Sequence, residues 1–169
     1  MKEVIRSQKG VGLMEVLVSL FILSIAILGF VALQVRATVA TEESIKRSDA
    51  LIILNGLAEK MRLNPSAVST YKESAPSSQP SCVANKNCNA ANQARADLYM
   101  YTENAKAKNI YLQVVDCPNT SNLQNRACII AAWNDTEPEQ ATDTSTTKSC
   151  LTSTGKYADK ADCLILEAY

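Results

Sequence analysis

A long apolar run near the start of the chain limits what this sequence can fold into more than any other feature. No residue from Val16 to Leu33 is charged, and Glu15 stands directly before the run. A helix that spans the hydrocarbon core of a bilayer needs about 20 mostly apolar residues. Residues 11–35 meet that length, so we predict a transmembrane helix there.

Basic residues are concentrated before the apolar run. Lys2, Arg6 and Lys9 precede it, and the next basic residue, Arg36, comes only after it. Positive charge flanking a span marks the side that stays in the cytoplasm. The sequence therefore predicts a single-pass protein with a cytoplasmic N-terminus and a C-terminal body on the other side of the membrane.

A secretory signal peptide would show the same charge order, but it does not fit the rest of the segment. Such a peptide has an apolar core of about 7–15 residues followed by a small-residue cleavage site. This core is longer, and the QVRATVATEES that follows lacks a clear A-x-A pattern. Another processing site lies before the run, between Gly10 and Val11, where glycine supplies a small and permissive backbone.

The segment around this site resembles the start of the type IV prepilins. The shared pattern is a basic leader that ends in Gly10, then Val11, then Glu15 at the fifth position of the processed chain. The resemblance implies cleavage by a prepilin peptidase between Gly10 and Val11 and N-methylation of Val11. It also implies a bacterial inner-membrane protein with a periplasmic body, which is later assembled into a pilus.

Glu15 needs a physical explanation because a carboxylate within a membrane helix costs about 2.5–3.5 kcal/mol near the bilayer centre and less near the interface. The simple alternative is that Glu15 reaches the headgroups. Cleavage, however, would create a charged amine at Val11, which Glu15 could pair with in its own chain or in a neighbouring subunit. Because a displaced subunit would leave a buried charge unpaired, we predict that Glu15 sets subunit register.

All six cysteines lie after the apolar run, on the predicted periplasmic side. They are Cys82, Cys88, Cys117, Cys128, Cys150 and Cys163. An even number in a small external domain predicts disulfides, although the sequence does not choose among the possible pairings. Pairing of neighbours in sequence is the arrangement we favour. We predict no metal site, because the chain has no C-x-x-C pattern and no histidine.

The helical pattern continues beyond the membrane from Arg36 to Leu63 and is expected to stop at Asn64-Pro65, because the residue before a proline avoids the helical region. The predicted domains are a leader at 1–10, a transmembrane or filament-core half-helix at 11–35, an amphipathic half-helix at 36–64 and a globular domain at 65–169. The predicted fold class is α+β, with the long N-terminal helix packed on a small antiparallel sheet.

Within the body, residue types and spacing predict one more helix and three strands. The helix is expected at Asn89–Lys106. Strands are expected at Ile110–Val115, Cys128–Trp133 and Cys163–Ala168, since these segments are rich in branched and aromatic residues. Thr136–Ser149 is predicted to be a polar loop.

Charge and composition argue against nucleic-acid binding and catalysis. The formal net charge is zero, and the basic residues are scattered along the sequence and form no stripe. The absence of histidine removes the commonest general base. The carboxylates of Asp97, Glu103, Asp116 and Asp135 are interpreted as surface charges or helix caps. We therefore predict a non-enzyme without a cofactor.

Several segments resemble the PilV group of minor pilins, also called type IV pilus modification proteins. They are GLMEVLVSLFIL (12–23), AEKMRLNP (58–65), the pair Cys82 and Cys88, and AWND (132–135). The resemblance implies a subunit that helps other minor pilins and the major pilin to prime or cap a pilus at the inner-membrane assembly platform. Such pili serve twitching motility, adhesion or DNA uptake. Two alternatives stay open: a pseudopilin of a type II secretion system, and an uncleaved membrane-anchored binding domain.

Overall fold

The structure is a computed structural model that describes residues 12–120, 126–142 and 148–168. The chain divides into two compact units between Glu43 and Ser44. Helix α1, Leu13–Leu63, contains this boundary, so its first part forms the first unit and its last part belongs to the second. The two units are described separately below.

The last part of α1 forms one wall of the body's core. Its buried residues recur at the three- and four-residue spacing that places side chains on one helix face. They are Ala50, Ile53, Leu54, Leu57, Ala58 and Met61. The helix ends at Leu63, directly before Asn64-Pro65, which confirms the predicted stop.

Among the described residues, two further helices and two single turns of 3-10 helix follow α1. The turns are Pro65–Ala67 and Ser81–Val83, and the helices are α2, Val68–Tyr71, and α3, Ala90–Ala107. The side chain of Asn89 caps α3 by accepting the N–H of Asn92 at 2.8 Å. At the other end Asn109 adopts a left-handed φ of 54°, a conformation that asparagine tolerates better than most residues. The helix predicted at Asn89–Lys106 is thus confirmed as α3.

Five strands lie in the part of the body that the structure describes. They are β1 (Ile110–Asp116), β2 (Ala127–Trp133), β3 (Glu137–Gln140), β4 (Ser149–Leu151) and β5 (Cys163–Glu167). The first sheet has the order β1-β2-β5 and is antiparallel throughout. The prediction of a small antiparallel sheet behind a long helix is confirmed.

Strand β2 lies at the centre of this sheet and is buried along its whole length. Its alternate residues Ile129, Ala131 and Trp133 face the main core, which we define as the cluster between the sheet, α1 and α3. Ile130 and Ala132 face the opposite side and contact the second core. The second core also contains Cys150, Leu151 and Cys163. Burial on both faces explains why the sequence of β2 is continuously apolar.

The predicted polar loop at Thr136–Ser149 is wrong in part, because β3 and the start of β4 lie within it and pair in parallel. The pairing is supported by hydrogen bonds from Glu137 N to Lys148 O at 2.7 Å and from Ala141 N to Leu151 O at 2.8 Å. The sequence of β3, EPEQ, has no apolar alternation. Backbone hydrogen bonds therefore define a strand that the side-chain pattern does not reveal.

Candidate functional site

Helix α1 begins next to the predicted cleavage position. The N–H groups of Glu15 and Val16 donate to Gly12 O at 2.9 and 3.4 Å. Glu15 therefore lies in the first turn, where the helix dipole favours a negative charge. Gly10 and Val11 lie outside the described residues. Cleavage between them, methylation of Val11 and the pairing of its amine with Glu15 stay predictions.

The first unit exposes apolar side chains on all sides of the helix. Every described residue up to position 42 is exposed, and the exposed fractions of Leu13, Phe21 and Phe30 are 79%, 68% and 61%. A helix that is apolar all round is normally buried in lipid or in protein. The most apolar 18-residue stretch of α1 has a mean hydropathy of 2.9, so the helix is long and apolar enough to cross a membrane.

The two serines in the apolar run do not interrupt this surface. The Ser19 hydroxyl donates to Glu15 O and the Ser24 hydroxyl donates to Leu20 O, both at 2.7 Å. A hydroxyl that bonds to the carbonyl four residues earlier carries no unsatisfied donor into an apolar environment. Both residues are therefore compatible with burial in lipid or among other helices.

The structure pairs each cysteine with its neighbour in sequence. The disulfides are Cys82–Cys88, Cys117–Cys128 and Cys150–Cys163. The first closes a loop ahead of α3, the second joins the chain after β1 to β2, and the third joins β4 to β5 and so links the two sheets. Because a small body buries little apolar surface, such cross-links stabilise it by restricting the unfolded chain.

A buried polar cluster joins α2 to α3 and corrects the interpretation of Asp97 as a surface charge. Asp97 is only 4% exposed. Its carboxylate accepts hydrogen bonds from the Tyr71 hydroxyl at 2.7 Å and from Gln93 Nε2 at 3.0 Å. A buried carboxylate needs such donors, so Asp97 holds the two helices together. The other three carboxylates interpreted as surface charges or caps are exposed, as predicted.

The same cluster affects Tyr71. Burial raises the pKa of its hydroxyl far above the ordinary value, and the hydrogen bond to Asp97 and the charge of that carboxylate raise it further. Tyr71 therefore stays protonated and continues to donate to Asp97 throughout the physiological pH range.

Gly56 allows α3 to pack closely against the later part of α1. It is the single glycine in the later part of α1, and a Cβ built on it would lie 2.7 Å from the Tyr101 hydroxyl oxygen. The missing side chain lets the ring of Tyr101, on α3, lie close to α1. An isolated glycine within a helical pattern indicates such a close approach, but the sequence does not show which residue approaches the glycine.

Two family models match adjacent segments of the chain. Residues 5–31 match a model described as the prokaryotic N-terminal methylation motif, and residues 32–99 match one described as type IV pilin Tt1218. The two matches support a type IV pilin. Neither a curated protein nor a solved structure gives a significant match.

The fold agrees with this assignment. The later part of α1 packs on a small antiparallel sheet in a body with three disulfides, which fits an α+β pilin-like fold. The methylation motif and the apolar helix also point to anchoring in a membrane. The pilin family is structural. The absence of catalysis, cofactor and metal in this chain stays a prediction.

Proposed function

We propose that this chain is a PilV-like minor pilin, a low-abundance subunit that helps to prime or cap a type IV pilus. One observation supports the proposal most: residues 5–31, which match the methylation motif, include the start of an exposed apolar helix with one acidic residue, Glu15, in its first turn. An anchor alone has no use for a cleavable basic leader or for a carboxylate at that position.

In the proposed first step, prepilin peptidase removes residues 1–10 on the cytoplasmic side and the new N-terminal residue, Val11, is methylated. The body then lies in the periplasm while the apolar part of α1 stays in the inner membrane. The apolar surface of α1 is compatible with both the membrane and the filament, because lipid tails and the apolar helices of other subunits solvate it about equally well.

In the proposed second step, the assembly platform moves the subunit out of the membrane and into a bundle of similar helices. There the carboxylate of Glu15 meets the amine of a neighbouring subunit in an apolar surrounding. Because an unpaired buried charge is strongly unfavourable, the pair selects one axial position. The contribution of Glu15 is thus mainly to register.

The proposal that the chain is a minor pilin of the PilV group rests on the segments that resemble that group. The AEKMRLNP segment contains the last residues of α1 and contributes buried Ala58 and Met61 to the main core. The proposed partners are other minor pilins, the major pilin, the prepilin peptidase and the inner-membrane assembly platform. Such a subunit would support piliation and, through it, twitching motility, adhesion or DNA uptake.

Deletion of the gene tests the proposal against a pseudopilin role. In a host that has both type IV pili and type II secretion, we expect surface pili to be lost or strongly reduced while exoprotein release continues. Pili would be counted by electron microscopy, and exoproteins measured in the culture supernatant. The wild-type gene supplied on a plasmid serves as the control and should restore the pili.

The opposite result, normal pili with failed exoprotein release, would favour the pseudopilin. The other alternative, an uncleaved membrane-anchored binding domain, predicts that pili and exoprotein release both persist and that the first ten residues stay on the protein.

A further inference from the structure

The body contains a cleft beside the buried carboxylate of Asp97. Two cavities with volumes of about 340 and 450 Å³ form it, and Lys60, Cys88, Gln93 and Asp97 line both of them. The walls of the cleft are the end of α1, the loop that the Cys82–Cys88 disulfide closes, and α3. Sites for small ligands in proteins usually measure about 300–1,000 Å³, so each cavity is large enough to hold one.

Asp97 brings a buried negative charge to the cleft. Its side chain is 4% exposed, and its two hydrogen-bond donors, Tyr71 and Gln93, are both neutral. No ion pair within the described part of the chain includes Asp97. Because a buried charge without a partner of opposite sign is unfavourable, a cationic group in the cleft would be stabilised next to this carboxylate.

The carboxylate of Asp97 can also accept further hydrogen bonds. The Tyr71 hydroxyl donates to Oδ2 at 2.7 Å, and Gln93 Nε2 donates to Oδ1 at 3.0 Å. An ionised carboxylate accepts about four hydrogen bonds, so about two positions are left. An ammonium group carries three N–H donors and one positive charge. It would therefore supply both the missing donors and the missing charge.

Two lysines provide positive charge in the same cleft. Lys60 lines both cavities and Lys86 lines the larger one. Among the described residues, neither lysine forms an ion pair. Both would attract an anionic group of a ligand and repel a ligand that carries positive charge alone. The charges of the cleft together favour a molecule that has both an ammonium group and a carboxylate.

The rest of the lining suits a short peptide. The side-chain amides of Gln79 and Gln93 lie along the larger cavity, and that of Gln79 forms no hydrogen bond with any other described residue. Such amides both donate and accept, as the peptide group does. Val83 and Met100 line the same cavity and are 36% and 49% exposed, so they can contact small apolar side chains.

We propose that this cleft binds a short peptide, with the free amino terminus of the peptide at Asp97 and its carboxylate towards Lys86 and Lys60. The inference goes beyond the function proposed above and does not rest on it, because the cleft lies wholly within the second compact unit, Ser44–Tyr169.

Calorimetric titration of the full chain in detergent with trialanine tests the proposal. Two matched probes are N-acetyl-trialanine, which lacks the ammonium group, and trialanine amide, which lacks the carboxylate. We expect trialanine to saturate one site and N-acetylation to lower the affinity by at least about tenfold, because buried Asp97 would lose a charged donor. Amidation should lower it by only about two- to fivefold, because ion pairs of exposed lysines contribute little.

Two results with the wild-type chain would overturn the proposal. One is the absence of saturable binding of trialanine. The other is equal affinity for trialanine and its N-acetylated form, which would show that no ammonium group meets Asp97.

A lysine variant tests the position of the carboxylate. Lys86 is exposed, so we expect Lys86→Ala to fold normally, to lower the affinity for trialanine by about two- to fivefold and to leave that for trialanine amide unchanged. Lys106→Ala is the matched control, because Lys106 is an exposed lysine of α3 outside the cleft. Unchanged trialanine binding in Lys86→Ala, or an equal loss in Lys106→Ala, would overturn the proposal.

A further variant tests the charge of Asp97. Asp97→Asn keeps the size of the side chain and removes its charge, so trialanine and its N-acetylated form should then bind with equal affinity. A remaining tenfold preference for trialanine in a folded variant would contradict the proposed role of Asp97. If this variant does not fold, the comparison of the two peptides on the wild-type chain decides.

Failure of this inference differs from failure of the proposed function. A chain that is cleaved before Val11 and found in sheared pili, but does not bind trialanine, keeps its function as a pilin and loses the peptide site. A chain absent from pili and still uncleaved would refute the function itself.

Discussion

Replacing Glu15 with alanine is expected to leave membrane insertion intact and to lower incorporation into pili by about a hundredfold or more. The apolar helix and its basic flank, which determine insertion, are unchanged. In the filament, however, the amine of a neighbouring subunit would lose its partner in an apolar surrounding. Removing one member of a buried pair costs about 3–5 kcal/mol, and each 1.4 kcal/mol corresponds to about a tenfold change in an equilibrium constant.

The measurement compares the amount of the chain in sheared pili with the amount in the membrane fraction by quantitative immunoblotting. Glu42→Ala is the matched control, because it removes an exposed carboxylate from the same helix beyond the apolar run. We expect this control to assemble normally. Normal incorporation of the Glu15→Ala variant would contradict the role of Glu15 in register.

Replacing Trp133 with alanine is expected to lower the free energy of unfolding of the body by about 3–5 kcal/mol. The Trp133 side chain is fully buried in the main core, at the end of the central strand β2. Truncation removes its apolar contacts and leaves a cavity that the close-packed surroundings fill only partly. Small domains are stable by only about 5–15 kcal/mol, so a loss of this size would remove a large part of the stability of the body.

The change is measured on the full chain in detergent by brief proteolysis across a urea series. Tyr157→Ala is the control, because this aromatic residue is 54% exposed and its loss should change the free energy of unfolding by no more than about 0.5 kcal/mol. Similar urea midpoints for the two variants would show that Trp133 does not have the packing role that its burial indicates.

The parts of the fold that the sequence predicted are those in which one local signal dominates. The Asn64-Pro65 step ends α1 because proline restricts the residue before it, whatever the tertiary context. The apolar segments IYLQVV, CIIAAW and CLILEA became β1, β2 and β5 because burial on one or both sheet faces selects such residues. Helix α3 was predicted from the spacing of its apolar residues, whereas the cap at Asn89 is a finding of the structure.

The parts that could not be predicted depend on partners that are distant in sequence. Aspartate is usually found on the surface. Asp97 is buried because it accepts hydrogen bonds from Tyr71 on another helix and from Gln93 one turn earlier. Strands β3 and β4 are short and pair in parallel through backbone groups. The outer position of β5 likewise emerges only from the strand order of the sheet.

The candidate site depends on local sequence features more than the body does. The apolar run, the carboxylate of Glu15 and the basic leader are all local features. The sequence predicted a helix from residue 11, and α1 begins at Leu13. What the sequence and the structure both leave to experiment is the chemical state of Val11.

Mass spectrometry of the N-terminus of the chain, purified from a host with an active prepilin peptidase, tests the central claim most directly. We expect the protein to begin at Val11 and to carry one methyl group on its amine. A protein that still begins at Met1 in this host would contradict both the processing and the pilin function derived from it.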